Sequence, residues 1–272
     1  MNELVINSKT LSQIKTAENY TSHAYIFVGK EGLGKTLSAR LFAEKIIGSH
    51  SSVGDRQRWI MLVDPIDGKK ISIEQMRKVR KYCNNSTPEN IANKVVIIDR
   101  AENMGVDAYN CLLTLLEEPP PKTVIILVSH NKYSIPKTVL SRLQTINFYP
   151  PNMNQLSELI NESGLSSELV EFSAKLPAKI VAFTNRKEEI ERLIKNANDF
   201  LGGGTKDRLM LISTISDKIE AKEFMDFIGA SLQSRVADKD WIRKSEGLIL
   251  AQSHLYNNGN TKLVMENLAL EF

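Results

Sequence analysis

Cysteine is scarce in this chain: Cys83 and Cys111 are the only two among 272 residues. Two thiols well apart, with no third or fourth beside them, do not make a four-ligand zinc site or a disulfide framework. No zinc is expected, and both thiols read as ordinary side chains of a protein kept in a reducing compartment. Long apolar runs are missing too. No stretch approaches the roughly 20 residues that a membrane span needs. The first fifteen residues carry Glu3 and no apolar core, so they do not read as a signal peptide. A cytoplasmic protein with no membrane partner is the expectation. Charge of one sign is also lacking, since 35 Lys and Arg against 32 Asp and Glu leave a formal net charge of +3. No general basic surface follows, so any contact with nucleic acid must be local or shared with partners.

What the chain does have is a strong alternation over its first 150 residues. Short β-rich runs fall at 24–28, 59–63, 94–98 and 124–128, with a further candidate at 144–148. Helical patterns fall between them, at 36–47, 74–83 and 107–118. Nearly continuous apolar strands separated by helices predict a parallel sheet covered on both faces. Pro150 and Pro151 end the alternation. Helical segments are expected beyond them at 154–163, 166–176 and 177–195, then Gly202-Gly203-Gly204 as punctuation, then helices from 206 to 272 interrupted at 257–260. The expected organisation is three domains: α/β over 1–150, a small helical one over 151–198, and a terminal helical one over 199–272.

Gly29-Lys30-Glu31-Gly32-Leu33-Gly34-Lys35-Thr36 fits G-x-x-x-x-G-K-[ST] in full, directly after a strand and opening a helix. In such a loop the glycines let backbone N–H groups turn toward phosphate oxygens, and the helix N-terminus adds partial positive charge. Gly29, Lys30, Gly32, Leu33, Gly34, Lys35 and Thr36 are the candidate nucleotide-binding residues. Lys35 is the cation for the outer phosphates, and Thr36 can offer its hydroxyl to a Mg²⁺ carried with ATP. Asp99, at the end of the 94–98 strand, is the second candidate for that Mg²⁺. The next residue is Arg100, a cation that cannot serve as a base or hydrogen-bond acceptor. Glu102 lies two residues further along, and its side chain is expected to point elsewhere. Binding without efficient hydrolysis is the direct chemical reading.

The run from Asp107 to Pro120, DAYNCLLTLLEEPP, resembles the N-x-L-L-x-x-L-E-E-P-P segment of bacterial DNA polymerase III clamp-loader subunits. Ser141-Arg142-Leu143 is similar to that family's Ser-Arg-Cys motif, and 260–268 to its last collar helix. The resemblance implies an AAA+ P-loop domain, a helical lid and a C-terminal helical collar. It also implies partners: gamma/tau and delta subunits in a hetero-pentamer, a sliding clamp, and primer-template DNA. Arg142 would then be an arginine finger acting in trans, a role its place between a helix and a strand also suits. His130, after Ser129, would stand near the γ-phosphate. Ala178 falls where hydrolysing members carry a lid arginine, and Lys179 reads as solvated. Arg100, Ala178, the missing zinc cysteines and the short chain point to the delta-prime branch rather than the gamma/tau motors. Without zinc, the segment 48–58 would be held by ordinary packing or be mobile. Arg77, Lys78, Arg80 and Lys81 make a basic run that reads first as a solvated helix face.

Overall fold

The computed structural model describes residues 5–19, 22–48, 57–66, 70–173, 176–215, 217–233, 240–257 and 259–272. Most of the segment 48–58, for which no zinc is expected, therefore lies outside the described residues. By its contacts the chain falls into two compact units, Met1–Glu162 with Lys175–Ile180, and Ser163–Ala174 with Val181–Phe272. The stretch 151–198 is shared between the two.

The first unit is built on five strands: β1 (Ala24–Val28), β2 (Ile60–Val63), β3 (Lys94–Ile98), β4 (Thr123–Ser129) and β5 (Gln144–Asn147). Their order across the sheet is β2-β3-β4-β1-β5, and every pairing is parallel. All five residues of β3 and all seven of β4 are buried. A central parallel strand has helices on both faces, so it has no polar side to show.

Alternate residues feed two cores. Ala24, Ile26, Val96, Ile98, Ile125 and Leu127 face one way, packing with α3 (Ile73–Asn84) and α4 (Val106–Glu117). Tyr25, Phe27, Val95, Ile97, Val124, Ile126 and Val128 face the other way, packing with α1 (Ser8–Asn19) and α2 (Lys35–Ile47). Helix α1 has no counterpart in the sequence expectation. It is fastened to β5, where Thr10 Oγ1 donates to the Asn147 carbonyl at 2.8 Å and Gln13 Oε1 accepts from Asn147 N at 2.8 Å. A four-residue helix α5 (Lys137–Leu140) precedes β5, and α6 (Met153–Ser163) follows it.

Next come α7 (Ser167–Phe172), α8 (Pro177–Asn185), α9 (Lys187–Gly202), α10 (Thr205–Ile212), α11 (Lys218–Gln233), α12 (Trp241–Tyr256) and α13 (Thr261–Glu271). The single helix expected over 177–195 is two. The break is Arg186, at φ −126° and ψ 30°. Its guanidinium pairs with Glu189 and Glu223, with contacts of 2.6 to 3.0 Å. In the second unit, Phe200 meets Phe224 edge-on at 5.7 Å and packs on Phe272 at 5.4 Å. Among the described residues no helix is long and apolar enough to cross a membrane.

Candidate functional site

The chain leaves β1 at Val28 and enters α2 at Lys35 through the glycine-rich loop. Gly32 at φ 83° and Gly34 at φ 75° take left-handed conformations that the loop needs and that side chains with a Cβ rarely adopt. Gly29 answers a different constraint. A Cβ there would stand 2.5 Å from the Phe148 carbonyl oxygen, main chain that cannot swing aside. Leu33 is buried beneath the loop while Lys30 is exposed. The Gly32 carbonyl accepts the Ala178 N–H at 3.2 Å, and Leu176 Cβ would lie 3.3 Å from a side chain added at Gly32. So Ala178 meets the loop through its backbone, whereas Lys179 is exposed.

Lys35 is buried, and its ammonium is turned back into the loop. Nζ donates to the Lys30 carbonyl at 2.7 Å and lies 3.0 Å from His130 Nδ1. Burial pulls its pKa down to about 8, and the nearby carboxylates of Asp99, Glu102 and Glu31 oppose that pull. Beside it, Thr36 Oγ1 donates to Asp99 Oδ2 at 2.8 Å. Asp99 Oδ1 accepts the Arg100 N–H at 2.8 Å. Arg100 itself is exposed and left-handed, at φ 48°. Strands β3, β4 and β1 are neighbours in the sheet, which is why Asp99, His130 and the loop converge at one end.

Glu102 corrects the sequence expectation. It does not point elsewhere: its Oε1 accepts the His130 N–H at 3.2 Å. The reason is the 3-10 turn Ala101–Asn103, which folds the chain back after β3. The four residues Asp99 to Glu102 do not continue a strand, so strand periodicity misassigns the last of them.

The donor set suits a nucleotide polyphosphate and its divalent cation. The loop offers left-handed glycines, a buried ammonium and a helix N-terminus, and a hydroxyl–carboxylate pair stands beside them. Lys35 and Thr36 spend their donors on Lys30, His130 and Asp99, groups that an incoming anion or cation can replace.

Arg142 lies apart, on the turn between α5 and β5. Its NH1 donates to the Thr138 carbonyl at 2.8 Å, and its NH2 pairs with Glu117 Oε1 at 3.0 Å. Glu117 closes α4, the helix of the L-L-x-x-L-E-E-P-P segment. Along that helix Leu112, Leu115 and Leu116 are buried, while Leu113 and Cys111 are partly buried against the same core. Arg77, Lys78, Arg80 and Lys81 are exposed on α3.

The family profile described as "DNA polymerase III, delta subunit" matches residues 6–152 of this chain. The chain belongs to this family. Among named relatives of this delta-family chain, subunit tau of Bacillus subtilis is 31% identical over 153 residues, 52% of this chain and 27% of that protein. Subunit delta' of the same organism is 27% identical over 216 residues, 72% of this chain and 61% of that protein. The chain thus spans only part of the length of these relatives. In fold it is similar to a DNA polymerase III gamma-subunit-related protein of Thermotoga maritima, with a TM-score of 0.68, 21% identity, and coverage of 95% of this chain and 98% of that one.

Proposed function

We propose that this delta-family chain is a delta-prime-like clamp-loader subunit that binds ATP with Mg²⁺ and does not hydrolyse it efficiently. The observation that carries the reading is the exposed, left-handed Arg100 directly after Asp99, beside an intact phosphate loop. A guanidinium has no lone pair to orient an attacking water. Lys35 would neutralise the outer phosphates. Thr36 and Asp99 would hold the Mg²⁺, whose charge would offset that of the phosphates. His130 would read the γ-phosphate end.

In this reading Arg142 serves a neighbour. It is half-buried, and its link to Glu117 is a surface ion pair worth less than about 1 kcal/mol, so NH2 can exchange Glu117 for a phosphate while NH1 stays on the Thr138 carbonyl and Ser141 Oγ. Partners of the expected kinds are gamma/tau and delta subunits, a sliding clamp and primer-template DNA, with the chain acting in the cytoplasm during replication. The three-domain division at 150 and 198 would give it a lid and a collar.

The test is a loader reconstituted with gamma/tau and delta subunits. Arg142→Ala is expected to lower clamp-stimulated ATP turnover by at least roughly tenfold, within the range of arginine-finger removals. Lys35→Ala in this chain should change turnover by less than about twofold if its own site does not hydrolyse. Unchanged turnover in Arg142→Ala would sink the finger assignment. Hydrolysis by the isolated chain, abolished by Lys35→Ala, would make it a motor instead. No heat on titration with ATP and Mg²⁺ would leave it a scaffold.

A further inference from the structure

Glu102 is a carboxylate that none of the motifs singles out. Its Oε1 accepts the backbone N–H of His130 at 3.2 Å and lies 3.9 Å from Nε2 of the same residue. On the other side of that ring, Nδ1 is 3.0 Å from Lys35 Nζ. The imidazole thus stands between the loop ammonium and the carboxylate. An ammonium has donors and no acceptor, so Nδ1 must accept, and the ring proton then sits on Nε2, facing Glu102. The three groups lie in a row from the 3-10 turn to the phosphate loop, with Glu102 hydrogen-bonded to the His130 backbone N–H and facing the Nε2 side of the ring as a charge 3.9 Å away.

This arrangement is costly. Glu102 is only 15% exposed, and its Oε2 is buried without a hydrogen-bond partner among the described residues. A buried carboxylate oxygen left unpaired destabilises the fold, and an apolar residue would serve the turn at less expense. The neighbouring Tyr109 hydroxyl does not relieve it, because that hydroxyl donates to the Ala101 carbonyl at 2.7 Å. The charge at Glu102 therefore acts on what it faces, and it faces His130 and Lys35.

We propose that Glu102 is a positioning residue for the phosphate end of the site. It fixes His130 at the end of β4, with Nδ1 held on the Lys35 ammonium, so that the lysine is aimed at the terminal phosphate. The proposal rests on the reading that the loop binds nucleotide. The γ-phosphate is what separates ATP from ADP, and a loop lysine reaches the β- and γ-phosphates. Disturbing Glu102 should therefore cost ATP more than ADP.

The experiment compares wild type, Glu102→Ala, Glu102→Asp and Glu102→Gln in two measurements. One is amide hydrogen exchange at His130 without nucleotide, with Ile126 in the centre of the sheet as a control. The other is titration calorimetry with ATP and with ADP, each with Mg²⁺. Losing one charge-assisted hydrogen bond predicts His130 exchange faster by roughly tenfold in Glu102→Ala, ATP weakened by roughly tenfold, and ADP changed by less than about twofold. Glu102→Gln keeps an acceptor oxygen and should restore slow exchange. Glu102→Asp keeps the charge but withdraws it by one methylene, so it should behave like Ala, and it decides the matter if Ala fails to fold. Unchanged His130 exchange in both shortened variants, or equal weakening of ATP and ADP, would overturn the proposal. If wild type binds neither nucleotide, the nucleotide reading fails by itself, and His130 exchange still decides whether Glu102 positions that residue.

Discussion

Gly29 shows how one residue can be required for two reasons that look alike in a motif. A consensus pattern treats it as a phosphate-loop glycine. In the fold its immediate constraint is the Phe148 carbonyl, 2.5 Å from where a Cβ would stand. Gly29→Ala must push main chain against main chain, so a loss of about 1–3 kcal/mol in urea unfolding is expected, with loss of ATP binding in calorimetry. Cys83 gives a prediction in pH. Burial pushes its thiol up to about 11, and pushes the Tyr82 and Tyr109 phenols up to about 12. Each ionises earlier in the unfolded chain, which therefore holds fewer protons, so stability falls as pH rises from about 9 to 11. Lys35 acts in the opposite sense between about 8 and its unfolded value, because the unfolded chain binds the proton more tightly there. The urea midpoint should decline across that alkaline window. Cys83→Ala should make the decline shallower, whatever it does to the midpoint itself.

At the scale of elements, the helices that the sequence made plain carry their own signals. Helix α3 has a capping box: Ser72 Oγ accepts Gln75 N at 3.3 Å, and Gln75 Oε1 accepts Ser72 N at 3.0 Å. Ser72→Ala should cost about 1 kcal/mol, read as a lower thermal midpoint with the same enthalpy per residue. Helix α1 lacks such local support. Only Thr10, Ile14 and Ala17 are buried along its twelve residues, too thin a stripe to announce a helix. It exists because β5, more than 130 positions away, supplies its hydrogen-bond partners. The break at Arg186 was hidden for the same reason, since the Glu223 that helps hold it lies 37 residues on.

For the molecule as a whole, the two units have separate aromatic cores. Phe27, Phe42, Tyr25 and Phe148 cluster in the first, and Phe200, Phe224 and Phe272 in the second. Phe200 is fully buried. Phe200→Ala should destabilise the second unit by about 3–5 kcal/mol, seen as faster amide exchange along α9 and α11. ATP affinity, which belongs to residues of the first unit, is expected to stay within about twofold in the same variant.

The strands, the phosphate loop and the family are legible in the amino-acid sequence alone. Those signals are local: apolar runs of strand length, glycines at fixed spacing, a contiguous L-L-x-x-L-E-E-P-P segment. Folding alone settles what the side chains do with one another. It brought Glu102 under His130, 28 positions away, and set Arg142 on Glu117, 25 positions away. Neither pairing follows from periodicity. Each depends on the order of strands in the sheet and on turns whose direction no repeat predicts, so the partner of a charge becomes visible only once the chain has folded.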